Sequence, residues 1–389
     1  MQEWKTYRIG DICKRVCSGG TPKSTEPSYY DGEIPWLNTK EINFNRISST
    51  EKHITLSGLE NSSAKWIDKN SVIVAMYGAT AAKVAINTIP LTTNQACCNL
   101  SIDETKADYR FVYYWLCSRY SELASLANGG AQQNLNAQQI KDFEIKLPEI
   151  QTQQKIADLL WSIDNKIICN KSINDNLEQQ AQAAFNNIIA QYSECETINL
   201  SEIAVLNPKR AIAKGTLARS IEMAQLPTSG SFPAGWDMKE YNGGMKFQNG
   251  DTLMARITPC LENGKVAYIN FLEENEVAFG STEYIVIASK GAIAPEVFYF
   301  LTRHNDFVDF AVKNMNGSSG RQRVSAETIG TYKLPIISPE DMFILETIAK
   351  EALKKIKYNS LENIRLSEIR DTLLPKLMSG ELKINNLDC

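Results

Sequence analysis

Two long segments of the chain, 148–196 and 335–380, carry the same helical pattern, and this repeat restricts the possible folds more than any other feature. In the first segment, hydrophobic residues recur at alternating steps of three and four, which predicts the narrow seam of a coiled coil. The seam consists of Ile156, Leu160, Ile163, Ile167, Asn170, Asn174, Leu177, Ala181, Ala184 and Ile188. At about 1.5 Å per residue, a helix of roughly 40 residues is about 60 Å long, so we expect a spacer as well as a packing surface.

The second segment is the predicted partner of the first. Its seam consists of Leu345, Ala349, Ala352, Ile356, Asn359, Asn363, Leu366, Arg370 and Leu373. Asn359 and Asn363 follow Asn170 and Asn174 by 189 residues, and polar seam residues are tolerated when they fix the register of a coiled coil. An antiparallel pairing that brings the two asparagine pairs together lets the helices overlap along their length. We therefore predict an antiparallel coiled coil whose register these four asparagines set.

The globular segments 1–147 and 197–334 also repeat one another. Ile9-Gly-Asp-Ile12 matches Leu200-Ser-Glu-Ile203, and Lys83-Val-Ala-Ile86 matches Lys265-Val-Ala-Tyr268. The sequence thus predicts a pseudo-two-fold repeat of an α/β (α+β) domain followed by a long helix, with a short tail at 381–389. We expect the two globular domains at opposite ends of the helix pair. Other residues of these domains match only sporadically, which indicates diverged domains on a shared scaffold.

The charge of the chain is weakly acidic, with a net charge of −4 and a pI near 5.6, which is not typical of a nucleic-acid-binding protein. The first long helix holds enough acidic residues to account for this excess, so the remainder can form local basic surfaces. The sequence shows no signal peptide and no apolar run of about 18 residues, and its cysteines are irregularly spaced. We expect a cytoplasmic protein with reduced thiols, no membrane segment and no metal site.

No catalytic constellation is recognisable in the sequence. The chain has neither a Gly-x-x-x-x-Gly-Lys-Ser/Thr phosphate loop nor a Gly-x-Gly-x-x-Gly turn after a strand. Asn207-Pro-Lys-Arg210 lacks the second proline and the aromatic residue of the Asn-Pro-Pro-aromatic motif of amino-methyltransferases. Asp251 and Glu262 only loosely resemble the acidic residues of a nuclease motif, and Glu262 stands beside a predicted turn at Asn263-Gly264. We therefore predict no catalytic residue, and an enzyme is the less favoured alternative.

Polar loops are the features that point to DNA, because their side chains bind base edges or phosphates. The best single cluster is Arg321-Gln-Arg323 behind Gly317-Ser-Ser-Gly320. The candidate DNA-binding residues are Lys23, Lys40, Lys83, Gln132, Gln133, Asn134, Lys209, Arg210, Arg219, Arg256, Lys265, Ser318, Ser319, Arg321, Gln322 and Arg323. On composition alone, solvated loops without a ligand explain these residues equally well.

Several motifs resemble a known family. In the first half these are Ser18-Gly-Gly-Thr-Pro22, Tyr29-Tyr-Asp-Gly32, Ile34-Pro-Trp-Leu37, and Leu147-Pro-x-Ile150 with Gln154-x-Ile-Ala157 where the helix begins. In the second half they are Arg256-Ile-Thr-Pro-Cys-Leu-Glu-Asn-Gly-Lys265 and Phe279-Gly-Ser-Thr-Glu-Tyr284. Together they resemble the specificity subunits of type I restriction-modification enzymes, in the order of that family. The start of the second helix departs from it, because Ser338-Pro-Glu-Asp341 stands where a glutamine is typical.

The resemblance implies a function and a set of partners. Such subunits lack catalysis, bind two modification subunits along the helices and recruit restriction subunits. They direct adenine methylation or ATP-dependent cleavage to a split, asymmetric sequence in double-stranded DNA. Each target-recognition domain, here 1–147 and 197–334, reads one half, and S-adenosylmethionine, ATP and Mg belong to the partners rather than to this chain. The alternative is a tandem-repeat scaffold that binds two proteins without DNA specificity.

Overall fold

The computed structural model describes residues 4–127, 134–318 and 320–384. The chain divides into two compact units. The first unit comprises Met1–Asn165 and Leu366–Cys389, and the second comprises Lys166–Arg365. Each unit contains one globular region together with parts of both long helices.

The first globular region consists of short strands and helices. Its strands are β1 (Lys5–Arg8), β2 (Cys13–Ser18), β3 (Tyr30–Leu37), β4 (Asn45–Ile47), β5 (Lys52–Ile54), β6 (Trp66–Ile67), β7 (Val72–Ala75), β8 (Val84–Asn87), β9 (Leu91–Thr93), β10 (Cys97–Ile102) and β11 (Glu144–Leu147). Its helices are α1 (Leu56–Glu60), α2 (Tyr109–Ser118), α3 (Tyr120–Ser125) and α4 (Ala137–Asp142), with 3-10 turns at Ile9–Ile12, Pro27–Tyr29, Thr39–Glu41 and Gly78–Thr80. The first long helix, α5 (Ile150–Gln191), follows.

The second globular region repeats this organisation. Its strands are β12 (Thr197–Asn199), β13 (Ala204–Leu206), β14 (Leu217–Ile221), β15 (Asp237–Glu240), β16 (Met245–Phe247), β17 (Thr252–Ala255), β18 (Val266–Tyr268), β19 (Ala278–Gly280), β20 (Tyr284–Ser289) and β21 (Lys333–Pro335). Its helices are α6 (Leu200–Ile203), α7 (Pro295–Thr302), α8 (Asn305–Lys313) and α9 (Ala326–Gly330), followed by the second long helix, α10 (Pro339–Ser379).

The strand orders of the two regions match, except that β4 has no counterpart in the second region. In the first unit the sheets run β2-β10-β7-β8-β4 and β5-β3-β9-β6, beside the pair β1-β11. In the second they run β13-β20-β17-β18 and β15-β14-β19-β16, beside the pair β12-β21. The pairs β3-β9 and β14-β19 are parallel in both. The predicted internal repeat of the globular regions is therefore confirmed at the level of topology.

Each unit packs its sheets and an aromatic helix onto the long helices. Strands β7 and β17 are short apolar runs buried on both faces, as expected for central strands. In the first unit the α2 tyrosine Tyr114 is 2% exposed and donates to Asp164 of α5 at 2.6 Å. Its counterpart in the second unit, Tyr299 of α7, is fully buried and donates to Glu178 of α5 at 2.6 Å.

Arginines complete both of these contacts. Arg370 of α10 donates to Asp164 at 3.0 Å, and Arg303 donates to Glu178 at 3.3 Å. Burial raises the pKa of both tyrosines, so the phenols stay protonated and donate to the carboxylates. The carboxylate that accepts from the tyrosine lies on α5 in both units. If the second unit followed the internal repeat, this carboxylate would lie on α10 there. Both units therefore have a tyrosine–carboxylate hydrogen bond, although the two carboxylates do not occupy equivalent positions of the sequence repeat.

The asparagines of the two seams lie side by side within the second unit, and their role in setting the register stays a prediction. Asn170 donates to Asn363 at 2.9 Å, and Asn359 donates to Asn174 at 2.8 Å. From the first pair to the second, the residue number on α5 rises from 170 to 174 while that on α10 falls from 363 to 359. These segments of α5 and α10 therefore run antiparallel. Asn170 and Asn359 are 1% and 3% exposed, and each donates its side-chain amide N–H to an asparagine of the other helix, whereas Oδ1 of Asn170 is buried without a hydrogen-bond partner among the described residues.

Two further observations concern predicted absences. No helix in the described part of the chain is long and apolar enough to cross a membrane. Among residues 4–127, 134–318 and 320–384, no group of three or more histidine, cysteine, aspartate or glutamate side chains is arranged to hold a metal ion.

Candidate nucleic-acid interface

In the second unit, the turn after β17 pairs with the loop that contains the arginine cluster. Thr258 donates its backbone N–H to the Gln322 carbonyl at 3.1 Å, and Val324 donates to the Arg256 carbonyl at 3.0 Å. Ile257 and Arg323 form the β-bridge between these two bonds. The two segments form one backbone framework, which we call the second loop pair, residues 256–258 and 322–324.

Arg323 of the second loop pair forms an ion pair with Glu283, just before β20. Its Nε lies 3.0 Å and 2.9 Å from the two carboxylate oxygens, and its Nη2 lies 2.7 Å from Oε1. The hydrogen bonds from Arg323 lower the pKa of Glu283, so this carboxylate stays charged. Sequence reasoning missed Glu283, because only the tertiary fold brings it to Arg323.

The other residues of the arginine cluster differ in their surroundings. Arg321 is exposed and forms no ion pair within the described part of the chain, and its backbone N–H donates to the Ser318 carbonyl at 3.0 Å. The Nε of Arg256 is buried and has no hydrogen-bond partner among the described residues. Gln322 holds the turn through its carbonyl, and Ser319 lies outside the described residues.

The first unit contains an equivalent framework, the first loop pair, residues 76–78 and 134–135. Leu135 donates to the Met76 carbonyl at 2.8 Å, and Tyr77 and Asn134 form the β-bridge. Asn136 then caps α4, as Ser325 caps α9 in the second unit. The positions 134, 135 and 136 precede 323, 324 and 325 by 189 residues, the same interval that separates the asparagine pairs of the helices.

This equivalence assigns the side chains that occupy corresponding places. Asn134 corresponds to Arg323, and Tyr77 corresponds to Ile257. Ala96, whose carbonyl accepts from Met76 N–H at 2.8 Å, corresponds to Glu283, whose carbonyl accepts from Arg256 N–H at 3.0 Å. Tyr77 is 43% exposed and was missed by sequence reasoning.

The remaining predicted residues of the first half are distributed over several loops. Lys40 pairs with Glu51 at 2.5 Å, and Lys83 donates to Asn43 at 2.8 Å, so both cations have partners within the protein. Lys23 is exposed and forms no ion pair among the described residues. Gln132 and Gln133 lie outside the described residues.

Three predicted DNA-binding residues of the second half have partners within the protein. Arg210 donates from Nε at 3.0 Å and from Nη2 at 2.5 Å to Asp251, which is 2% exposed. Arg219 pairs with Glu276, and Lys265 donates to the Met223 carbonyl at 2.6 Å. These three side chains are thus bound within the protein, and their contact with DNA stays a prediction. Lys209, beside Arg210, is exposed and remains a candidate.

The glycine motif of the first half is a packing device. A β-carbon at Gly19 would clash with the carbonyl oxygen of Thr93, and one at Gly20 would clash with the backbone of Ala64. The Trp36 indole donates to the Gly20 carbonyl at 2.9 Å. The motif therefore ties the end of β2 to β3 and β9.

The starts of the two long helices differ in their chemistry. The buried Gln153 of α5 accepts from Asp108 N–H at 3.0 Å and donates to the Pro148 carbonyl at 2.9 Å. Met342 stands 189 residues later and lines an apolar cavity of about 360 Å³ in the second unit. One turn on, Glu346 accepts from Ala294 N–H at 2.8 Å, so the bond to the N-terminus of the aromatic helix is kept by another residue.

Comparisons with known proteins bear on what these loops do. The family described as "Type I restriction modification DNA specificity domain" matches residues 1–179. The specificity subunit of the type I restriction enzyme MjaIX of Methanocaldococcus jannaschii is 24% identical over 99% of this chain and 95% of its own length. That of the HindI enzyme of Haemophilus influenzae is 21% identical over 98% of this chain and 100% of its own length. Both alignments include the half that the family match leaves out.

A solved structure extends the comparison to the fold. The S subunit of a type I restriction-modification system from M. genitalium covers 96% of this chain and 96% of its own, with a TM-score of 0.63 and 20% identity. At this level of identity the likeness concerns the fold, which the two proteins share over nearly their whole length.

Proposed function

The chain belongs to the family of type I restriction-modification DNA specificity subunits, and on this premise we propose that it selects the sequence on which such an enzyme acts. It directs adenine methylation and ATP-dependent restriction to a bipartite, asymmetric DNA site. The observation that carries the proposal is the repeated loop pair with unlike side chains, Asn134 in the first unit and Arg323 in the second. Asparagine and arginine bind different bases, so two such readers suit two unlike half-sites.

The proposed partners follow from the division of labour in such enzymes. Two modification subunits bind along α5 and α10, and restriction subunits join the assembly. S-adenosylmethionine, ATP and Mg are bound by these partners, and the specificity chain itself has no catalytic activity. It acts in the cytoplasm together with its DNA substrate.

Methylation mapping tests the proposal. The chain is expressed with its modification subunit in a cell that lacks other adenine methylation, and methylated adenines are mapped across the genome. Two unlike half-sequences at a fixed separation are expected. The modification subunit alone and the specificity chain alone serve as controls, and neither should methylate. A complex that assembles but methylates no defined sequence, or salt-independent binding to DNA, would contradict the proposal and favour a protein-binding scaffold.

A further inference from the structure

Glu283 and the Arg321 carbonyl accept three of the five N–H donors of the Arg323 guanidinium, and no other described residue bonds the remaining two. A guanidinium carries five N–H donors in a planar fork. Nε and Nη2 bond Glu283, and Nη1 donates to the Arg321 carbonyl at 3.2 Å. Among the described residues no other group accepts from this guanidinium, so one N–H remains on each of Nη1 and Nη2. When the Nη1 hydrogen nearer Cδ bonds the Arg321 carbonyl, the two remaining N–H groups point side by side from the end of the fork.

We propose that Arg323 reads a guanine in the half-site bound by the second unit, and that Glu283 is the positioning residue that aims its free edge. This inference rests on the proposed function. Two parallel donors match the O6 and N7 acceptors of guanine in the major groove. Because the guanidinium is rigid and planar, a carboxylate that fixes one edge also fixes the direction of the other.

The backbone supports this arrangement. Arg323 exchanges two hydrogen bonds with Asn316, each of 2.9 Å, and also bridges Ile257. The Arg323 side chain is 40% exposed and that of Glu283 is 26% exposed, so the pair lies at the surface with its outer edge open. Preorganisation of this kind lowers the entropic cost of ordering a long side chain on binding.

Two neighbouring positions provide contrasts. Arg321 is exposed and forms no ion pair with a carboxylate in the described part of the chain, which suits a contact to phosphate, where direction matters less. In the first loop pair, Ala96 stands where Glu283 stands, so Asn134 has no equivalent support from that position. The guanine contact is therefore specific to the second unit.

The test uses the complete complex of the chain with its modification subunit and maps methylation for single variants. Arg323→Ala should lower discrimination at one guanine-containing base pair of one half-site, roughly 5- to 150-fold. Arg323→Lys should do the same, because lysine lacks the fork. Glu283→Gln should relax the same position to a smaller extent. Arg321→Ala is the matched control and should weaken methylation of all sequences alike.

The charge-exchanged pair Glu283→Arg with Arg323→Glu separates reading from folding. It keeps an ion pair in the loop but removes the guanine fork, so the complex should assemble and lose the guanine preference. Recovery of the original sequence by this pair would show that the ion pair is only structural and would overturn the inference. So would an unchanged second half-sequence in Arg323→Ala or Arg323→Lys, or relaxation at a base pair without guanine. Failure of the unaltered complex to methylate any sequence would instead count against the proposed function.

Discussion

The two loop pairs share a backbone and differ in the side chains that it presents. In both, the carbonyl of the residue that follows a strand accepts from the N–H of the residue before a helix cap, at 2.8 Å in the first unit and 3.0 Å in the second. The bridging residues are Tyr77 with Asn134 in one and Ile257 with Arg323 in the other. Main-chain hydrogen bonds do not depend on side-chain identity, so the framework tolerates any pair of readers. This separation of framework from readout allows two copies of one fold to recognise unlike sequences.

The residues directly before β7 and β17 also differ between the two units, although both are buried. Ser71, just before β7, donates its N–H to the Asn87 side chain at 2.9 Å, in a neutral network. Asp251, just before the equivalent strand β17, is bound by Arg210 and by the backbone N–H of Gln248 at 2.8 Å. The second unit therefore contains a buried charge at a place where the first unit has none.

The largest expected effect in stability comes from breaking this ion pair. Arg210→Ala leaves the Asp251 carboxylate buried without its cation, which should destabilise the second unit by about 3–5 kcal/mol. Hydrogen exchange followed by mass spectrometry should show faster exchange in β17 and β20 and no change in β7 and β10. The double variant Arg210→Ala with Asp251→Asn should recover part of the loss. A cost below about 1 kcal/mol would show that the pair is not important for stability.

The cost of Arg210→Ala should depend on pH. Burial raises the pKa of Asp251 above its usual value, and Arg210 opposes that shift. Without Arg210 the folded state holds a proton on Asp251 more readily than the unfolded state does. The destabilisation should therefore be largest near neutral pH and shrink as the pH falls toward about 4. Denaturant unfolding measured across this range tests the sign.

The next effect concerns the tyrosines that join the aromatic helices to α5. Tyr299→Phe and Tyr114→Phe each remove a 2.6 Å hydrogen bond to a carboxylate, which should cost about 1.5–3 kcal/mol. The two variants should behave alike, because each retains an arginine partner for its carboxylate. Denaturant titration with hydrogen exchange in α7 and α2 measures both costs, and a cost in only one unit would show that the two contacts are not equivalent.

Substitutions of the seam asparagines should change the free energy of unfolding by a similar or smaller amount. Asn174→Leu leaves the buried Asn359 amide without its 2.8 Å partner, which should cost about 1–3 kcal/mol. Replacement of all four asparagines by leucine should instead raise the melting temperature and loosen the register, since no polar group then penalises a slipped alignment. Thermal melts and disulfide trapping of shifted cysteine pairs measure the two properties. A single register in the four-leucine variant would contradict the role of these residues.

The smallest effect is expected for Arg321. Arg321→Ala should leave the melting temperature unchanged, because the side chain is exposed and forms no ion pair among the described residues. The slope of log affinity against log salt for the assembled complex should fall by about 1, as expected for one lost phosphate contact. An unchanged slope would remove Arg321 from the interface.

The features that the sequence reveals are those with a local period. The asparagines of the seam recur with the helical repeat, so their pairing was predictable from spacing. Arg210 and Arg323 were both predicted to contact DNA, but their ion pairs with Asp251 and Glu283, which lie about 40 residues away in sequence, were not predicted. Such ion pairs form between residues that the tertiary fold brings together, and a local sequence pattern does not predict which residues these are. Glu283 lies in the motif Phe279-Gly-Ser-Thr-Glu-Tyr284, but that motif says nothing of Arg323, so only the fold identifies the two as partners.

The central claim is that equivalent positions of the two loop pairs read the two halves of one site. Methylation mapping of Asn134→Ala and Arg323→Ala, each in the assembled complex and compared with the unaltered chain, tests it most directly. Each variant should relax one position, and the two positions should fall in different half-sequences. The double variant should relax both. If both variants relax the same half-sequence, or if neither changes the methylated sequence, the account is contradicted.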